Sequence, residues 1–235
     1  MGSSARMRIL LKLSGEALAG RPGETFSWEA CRPILEEVAA LRGRSVQVAI
    51  VVGGGNVYRA REGLFSRETG DRMGMTATVL NGLALREFLE KMAIPCLLQS
   101  AYPLPTVGPI DPPAAREALE RNAIVVFCGG TGLPYFSTDT AAALRALDIG
   151  AELLLKASPV DGVYDADPRT NPAARRLDRI SCSEALARGL GFMDPEALCL
   201  CRSNRLPAVL FSLGRRGALA DIIDGKLAGT TLLPE

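Results

Sequence analysis

Two lysines stand where an apolar strand pattern would not put a charge. Lys12 interrupts Arg8-Ile9-Leu10-Leu11-Lys12-Leu13, and Lys156 follows Leu153-Leu154-Leu155. Taken singly, each can be a strand-end lysine that lifts its ammonium to solvent along its aliphatic stem. Both, however, fall at strand ends where glycines cluster. A pair of fixed ammonium groups there would neutralise charge on the donor, acceptor and transferring oxygens of a phosphoryl group. Asp139 falls in the first turn of a helix that follows the glycine-rich stretch 129–137. It either stabilises the helix dipole or orients the two lysines, and Asp194, at the start of another helix, carries the same two readings. Asp161, Asp165 and Asp167 form an acidic loop, which is either a turn held by Asx hydrogen bonds or a contact to a ribose hydroxyl or a magnesium-bound water.

The glycines fall at three strand ends: Lys12-Leu13-Ser14-Gly15-Glu16, Gly53-Gly54-Gly55-Asn56 and Gly129-Gly130-Thr131-Gly132. Glycine lets the backbone approach an anion closely and offers it unobstructed N–H groups. A helix N-terminus that follows adds about half a positive charge. One such turn is weak support, whereas three in one sheet point to a phosphate-rich ligand. The usual nucleotide fingerprints are missing. There is no G-x-x-x-x-G-K-[ST], and Gly53-Gly54-Gly55-Asn56-Val57-Tyr58 fails G-x-G-x-x-G at its last glycine. The chain has no histidine, which excludes a Ser-His-Asp triad, a Cys-His dyad, His-ligated zinc and the protein-kinase motif set. Phosphoryl transfer tolerates that absence, because its transition state needs charge stabilisation and alignment more than proton transfer.

The elements that must position these residues alternate. Apolar runs at 8–13, 46–52, 94–98, 123–128, 151–155, 207–211 and 230–233 read as strands. Residues 28–41, a stretch around Met75, Val79 and Leu83 continuing to about Met92, 138–147, 181–188, 194–203 and 218–223 read as helices, with Ser137 or Thr138 capping the third. The Pro-rich segment 103–113 reads as a surface loop, and 163–169 as a loop or short hairpin. Strands without polar alternation, separated by helices, imply a mainly parallel sheet covered on both faces, a three-layer α/β/α sandwich. With 235 residues, 48% hydrophobic and 23% charged, residues 8–235 are expected to form one domain, with 1–7 a leader-like extension. A net charge of +1 gives no support to nucleic-acid binding. No run of about 18 apolar residues is present and the start lacks a signal-peptide core, so a cytoplasmic location is expected. The six cysteines form no C-x-x-C pair and read as buried free thiols, with Cys199 and Cys201 on different helix faces.

Taken together, Lys12-Leu13-Ser14-Gly15-Glu16, the Gly53–Gly55 turn with Arg59, Asp71-Arg72-Met73-Gly74-Met75 followed by Asn81-Gly82, Gly130-Thr131-Gly132, Thr138-Asp139 and Val160-Asp161-Gly162-Val163-Tyr164 with Asp167-Pro168 resemble the bacterial UMP kinases of the amino-acid-kinase family. The resemblance runs from about Arg8 to Leu233. It implies the amino-acid-kinase fold and transfer of a phosphoryl group from ATP, with magnesium, to UMP. In that resemblance Lys12 and Lys156 stabilise the transferring group, Asp139 organises them and Asp194 supports the site. Lys12, Leu13, Ser14 and Gly15, with Gly55, hold ATP phosphates and Arg59 lies near them, while Ser158, Tyr164 and Asp167 line the adenosine side. Gly54, Asp71 and the run Thr131, Gly132, Leu133, Pro134, Tyr135, Phe136, Ser137 and Thr138 hold UMP, with Asp71 on the ribose hydroxyls. A homohexamer built as a trimer of dimers is implied as well.

The chain departs from that pattern in places. Leu133 stands where Asn is usual, Ser158-Pro159 where Thr is followed by Lys or Asn, and Ala60 where glycine follows the arginine. Residues 90–97 lack the His and Arg of the family's GTP effector site, so inhibition by UTP at the UMP site is expected more than activation by GTP. Two other readings stand beside this one. A carboxylate kinase of the same fold is disfavoured by Asp71, whose charge would repel such a substrate. A binding protein without turnover is disfavoured by the presence of Lys12, Lys156 and Asp139 together.

Overall fold

Apolar runs become strands where both of their faces can be covered. The computed structural model describes residues 6–21, 23–59, 64–102, 104–166, 170–171, 173–226 and 228–235. Among these, the strands are β1 (Arg8–Leu13), β2 (Gln47–Val52), β3 (Cys96–Ser100), β4 (Gly108–Pro109), β5 (Ile124–Cys128), β6 (Leu153–Ser158), β7 (Val163–Tyr164), β8 (Arg176–Leu177), β9 (Arg179–Ser181), β10 (Ala208–Ser212) and β11 (Gly229–Leu233). The helices are α1 (Trp28–Gly43), α2 (Arg67–Lys91), α3 (Pro112–Glu120), α4 (Thr138–Ile149), α5 (Cys182–Ala187), α6 (Pro195–Ser203) and α7 (Ala218–Ile223), with a 3-10 turn at Gly15–Leu18. Nine of the strands form one sheet in the order β4-β3-β5-β2-β1-β6-β10-β11-β9, and β7 pairs with β8 apart from it. Pairing in the sheet is parallel except between β10 and β11.

The two faces of the sheet bury separate cores. Ile9, Leu11 and Leu13 of β1 pack with α1, α2 and α7, as do Leu155 and Ala157 of β6. Leu10 and Leu154 belong to the opposite core, with α3, α4, α5 and α6. Side chains alternate along a strand. Lys12 therefore follows Leu10, and Lys156 follows Leu154, onto the α4 face. This alternation aims two lysines at the start of one helix.

Two local expectations need correction. The segment 103–113 was expected to be a surface loop, but it contains β4 and opens α3. Asp111 caps that helix by accepting the Ala114 N–H at 3.0 Å, and Pro112 and Pro113 occupy its first turn. Proline there loses no helical hydrogen bond and brings a preset φ, so it starts a helix rather than preventing one; Pro103 lies outside the described residues. The segment 163–169, read as a loop or short hairpin, does open a hairpin, Val163 and Tyr164 of β7 pairing antiparallel with β8, while residues 167–169 lie outside the described residues. Cys199 is exposed, unlike the buried Cys31, Cys128, Cys182 and Cys201. Burial pushes the Cys31 and Cys201 thiols up to about 12, so they are packing groups rather than nucleophiles. Strand β9, which had no counterpart in the sequence reading, extends the sheet beside β11.

Candidate active site

Strands β1 and β6 are neighbours, and their register places Lys12 directly opposite Lys156. Two ammonium groups so placed repel one another, and α4 supplies the compensation. Ser137 caps α4 by accepting the Asp139 N–H at 2.9 Å, which fixes Asp139 in the first turn. One Asp139 carboxylate oxygen lies 2.9 Å from Lys12 Nζ, and the other accepts from Lys156 Nζ. Asp139 is only 9% exposed. Burial pushes its carboxyl up, but the charges of Lys12 and Lys156 outweigh this and hold it below the usual carboxylate range. Burial draws the Lys156 ammonium below its ordinary value; Asp139 works against that shift and Lys12 adds to it. Lys156 Nζ also donates to the carbonyl of Phe192.

Asp194 stands one step back. It caps α6 through the Ala197 N–H at 2.7 Å, and it accepts from the Thr140 hydroxyl at 2.7 Å, the Thr140 N–H at 3.2 Å and the Ser137 hydroxyl. One carboxylate thus ties together the first turns of α4 and α6. It reaches Lys156 only at range, where its charge helps to keep the ammonium protonated.

The glycine turns surround this centre. Gly15 approaches so closely that an added Cβ would lie 2.3 Å from Asn56 Oδ1 and 2.7 Å from Gly55 N. Gly54 is pressed against α2, where a Cβ would lie 2.7 Å from the Gly74 carbonyl and 2.9 Å from Ala77 Cβ. Leu13 ends β1, and Ser14 precedes the 3-10 turn. Arg59 pairs with Glu16. Burial raises the Glu16 carboxyl, but a backbone N–H and Arg59 together bring it below the usual range.

A cavity of about 200 Å³ opens among Gly54, Gly55, Asp71, Gly130, Ser137 and Thr138, with Phe136 also on its wall. Asp71, in the second turn of α2, accepts the Tyr135 N–H at 2.7 Å, which pins the loop that carries Gly132 and Pro134. Tyr135 is held at φ 73°, a left-handed conformation unusual for a side-chain-bearing residue. Its ring lies 5.2 Å from the Arg67 guanidinium. Thr131 and Leu133 line a different, more apolar cavity, shared with Leu144 and Leu200. The larger cavity of about 700 Å³ is bounded by Pro159, Val160, Gly162, Tyr164 and Phe192, so the residue that binds Lys156 also walls it. The Tyr164 hydroxyl donates to Asp161 at 2.8 Å, and Ser158 Oγ accepts the Val160 N–H at 3.2 Å. Asp167 lies outside the described residues.

Sequence reading had not singled out Thr78 or Gly70 for the first cavity. Thr78, 1% exposed, accepts the Gly129 N–H at 2.6 Å and so anchors the third glycine turn to α2. The available signal was spacing: Asp71, Met75 and Thr78 fall on one helical face.

A glycine-edged, mainly parallel sheet with two in-register lysines bridged by one helix-borne carboxylate suits phosphoryl transfer, and the chain belongs to the amino acid kinase family, whose family model matches residues 7–212. Uridylate kinases are among its curated relatives. That of Legionella pneumophila (strain Lens) is 44% identical over 229 residues, covering 95% of this chain and 92% of the relative. That of Paramagnetospirillum magneticum is 45% identical over 232 residues, covering 96% of each. The crystal structure of UMP kinase from Bacillus anthracis superposes with a TM-score of 0.93 at 31% identity, covering 97% of this chain and 96% of that one. UMP kinase from Ureaplasma parvum gives 0.90 at 33% identity, covering 97% and 99%. The chain groups with the uridylate kinases of the family.

Proposed function

We propose that this protein transfers the γ-phosphoryl group of ATP to UMP, giving ADP and UDP. The observation that carries the proposal is the register of Lys12 and Lys156 about Asp139. A transferring phosphoryl group spreads negative charge over its oxygens. Two ammonium groups already held side by side meet that charge without rearranging, which is where electrostatic preorganisation acts. Asp139 lies between the two ammonium groups and offsets their mutual repulsion. The acceptor is itself an anion at neutral pH, its second phosphate pKa being about 6, so the reaction needs no general base and the absence of histidine is no obstacle.

UMP occupies the cavity edged by Gly54, Asp71 and the Phe136–Thr138 end of the 131–138 loop, with Asp71 facing the ribose. ATP lies with its phosphates on the turns at Leu13, Ser14, Gly15 and Gly55, Arg59 near them, and its adenosine in the larger cavity by Ser158 and Tyr164. The first cavity is walled by Ser137 and Thr138 at the start of the helix that carries Asp139, and the larger one by Phe192, whose carbonyl accepts from Lys156, so each has a wall one step from the lysine pair. Magnesium arrives on the phosphates of ATP, whose charge it offsets. Both oxygens of Asp139 are occupied by ammonium groups, and among the described residues no cluster of three His, Cys, Asp or Glu side chains stands ready to take a metal directly. The protein acts in the cytoplasm as a homohexamer.

The test is a coupled ADP-release assay with Mg-ATP and, in turn, UMP, CMP, dUMP, aspartate, glutamate and N-acetylglutamate. A strong preference for UMP supports the reading. Turnover with a carboxylate alone overturns the substrate, and ATP binding by folded protein without turnover on any of the six overturns the enzyme.

A further inference from the structure

Asn81 lies in the middle of α2 with no exposed surface. Its Nδ2 donates to the Gly53 carbonyl at 2.6 Å and to Asn56 Oδ1 at 2.7 Å, and its Oδ1 accepts from Asn56 Nδ2 at 3.0 Å. The second Asn56 N–H goes to the Thr25 carbonyl at 2.8 Å. Each amide has two N–H donors, so all four are used, in a closed pair with no member left over. A leucine would fill the same space with less desolvation. A buried amide of this kind is a net gain only where its partners need it, and here those partners are the backbone of a turn at the site.

The turn in question is Gly53–Gly55. Gly53 N–H still pairs with Leu13 O of β1 at 2.8 Å, while its carbonyl is taken by Asn81. The Gly54 carbonyl accepts from Val57 N at 3.0 Å and Tyr58 N at 2.9 Å. With both carbonyls engaged, the Gly54 and Gly55 N–H groups, which have no protein acceptor among the described residues, are what the turn offers to an anion. The same amide pair reaches the other phosphate turn. Asn56 Oδ1 is the atom that a Cβ on Gly15 would strike first, so Asn56 sits in the contact between the Gly15 turn and the Gly53–Gly55 turn.

We infer that Asn81, acting through Asn56, is a positioning residue for phosphoryl transfer: it fixes the peptide planes of the Gly53–Gly55 turn and their spacing from the Gly15 turn, and so aligns donor and acceptor phosphates. Neither side chain touches a nucleotide. This rests on the reading of those turns as phosphate-binding. Alignment is realised mainly in the transition state, so its loss lowers kcat more than it weakens binding.

The experiment compares wild type with Asn81→Ala, Asn56→Ala and the double variant, measuring kcat, KM for UMP and for Mg-ATP, and the thermal midpoint. Each single variant is expected to lose roughly ten- to a hundredfold in kcat, with either KM changed by no more than about threefold. The double variant is expected to be no slower than the slower single one, because both act through one pair. A loss of stability alone would not produce that split in folded protein. If Asn81→Ala does not fold, the half-buried Asn56 carries the same test. Folded variants with wild-type kcat overturn the inference, as does a rise in KM at constant kcat or a double variant whose losses multiply. Wild-type protein inactive on UMP would instead overturn the functional reading, and this inference with it.

Discussion

Lys12 and Lys156 are each about one-eighth exposed, and two ammonium groups that close and that dry are unstable without a counter-charge. Lys12→Ala removes one of the two charges that meet the transferring group. Turnover should fall by about a hundredfold or more, roughly 3 kcal/mol, in the ADP-release assay with folded protein; near-normal turnover would refute its role. Asp71→Ala should raise KM for UMP well above any change for ATP, and equal changes would move Asp71 out of the acceptor site. The pH dependence follows from the signs of the shifts. Lys156 is held below its ordinary 10.5, chiefly by burial, so the alkaline fall of kcat should begin below that value. Asp139→Asn removes a charge that raises Lys156, and the fall should then move to lower pH. An alkaline limb unmoved by this substitution would mean that Lys156 is not the group titrating. Asp139 itself is held below 3.8. Its contribution to stability is therefore present above that ordinary value and is lost only as pH drops through the lower folded-state value.

At the scale of elements, α2 and the paired starts of α4 and α6 set the geometry. Helix α2 uses one face to hold three segments: Asp71 the 131–138 loop, Thr78 the Gly129 turn and Asn81 the Gly53 turn. The starts of α4 and α6 share Asp194. Asp194→Ala removes the cap of α6 and a second acceptor at the start of α4, at about 1 kcal/mol each. Urea denaturation should show a loss of roughly 2 kcal/mol, with a smaller fall in kcat than in Lys12→Ala. A kcat loss as large as that of Lys12→Ala, without destabilisation, would make Asp194 a direct participant instead. These dependencies were only partly visible beforehand. Lys12 and Lys156 were legible because a charge in an apolar strand breaks its pattern. Asn81 and Thr78 were not legible as clamps, because a polar residue on a long helix looks the same whether it faces water or a buried carbonyl.

On the whole molecule, exposed apolar side chains gather along and before α2. Met73 and Leu80 are two helical turns apart on one face, with Leu64 and Phe65 just ahead of the helix. The proposed homohexamer would give these side chains a partner to bury them. Leu80→Asp should give a smaller species in light scattering after size exclusion, with the far-UV spectrum retained; an unchanged mass would place the interface elsewhere. None of the described helices is long and apolar enough to cross a membrane.

The sequence by itself determined the covered parallel sheet, since unbroken apolar strands are stable only with helices on both faces. It also determined the glycine turns and the lysines at strand ends, because local chemistry alone marks them out. Tertiary structure alone decided that β1 and β6 lie side by side in a register that sets Lys12 opposite Lys156, since strand order depends on which distant segments pair and not on any one of them. It decided, too, that Asp139 pairs with both lysines while Asp194 serves two helix starts. Those two aspartates look alike in sequence, each at the start of a helix, and they differ only in what the packing of α4 and α6 brings within reach.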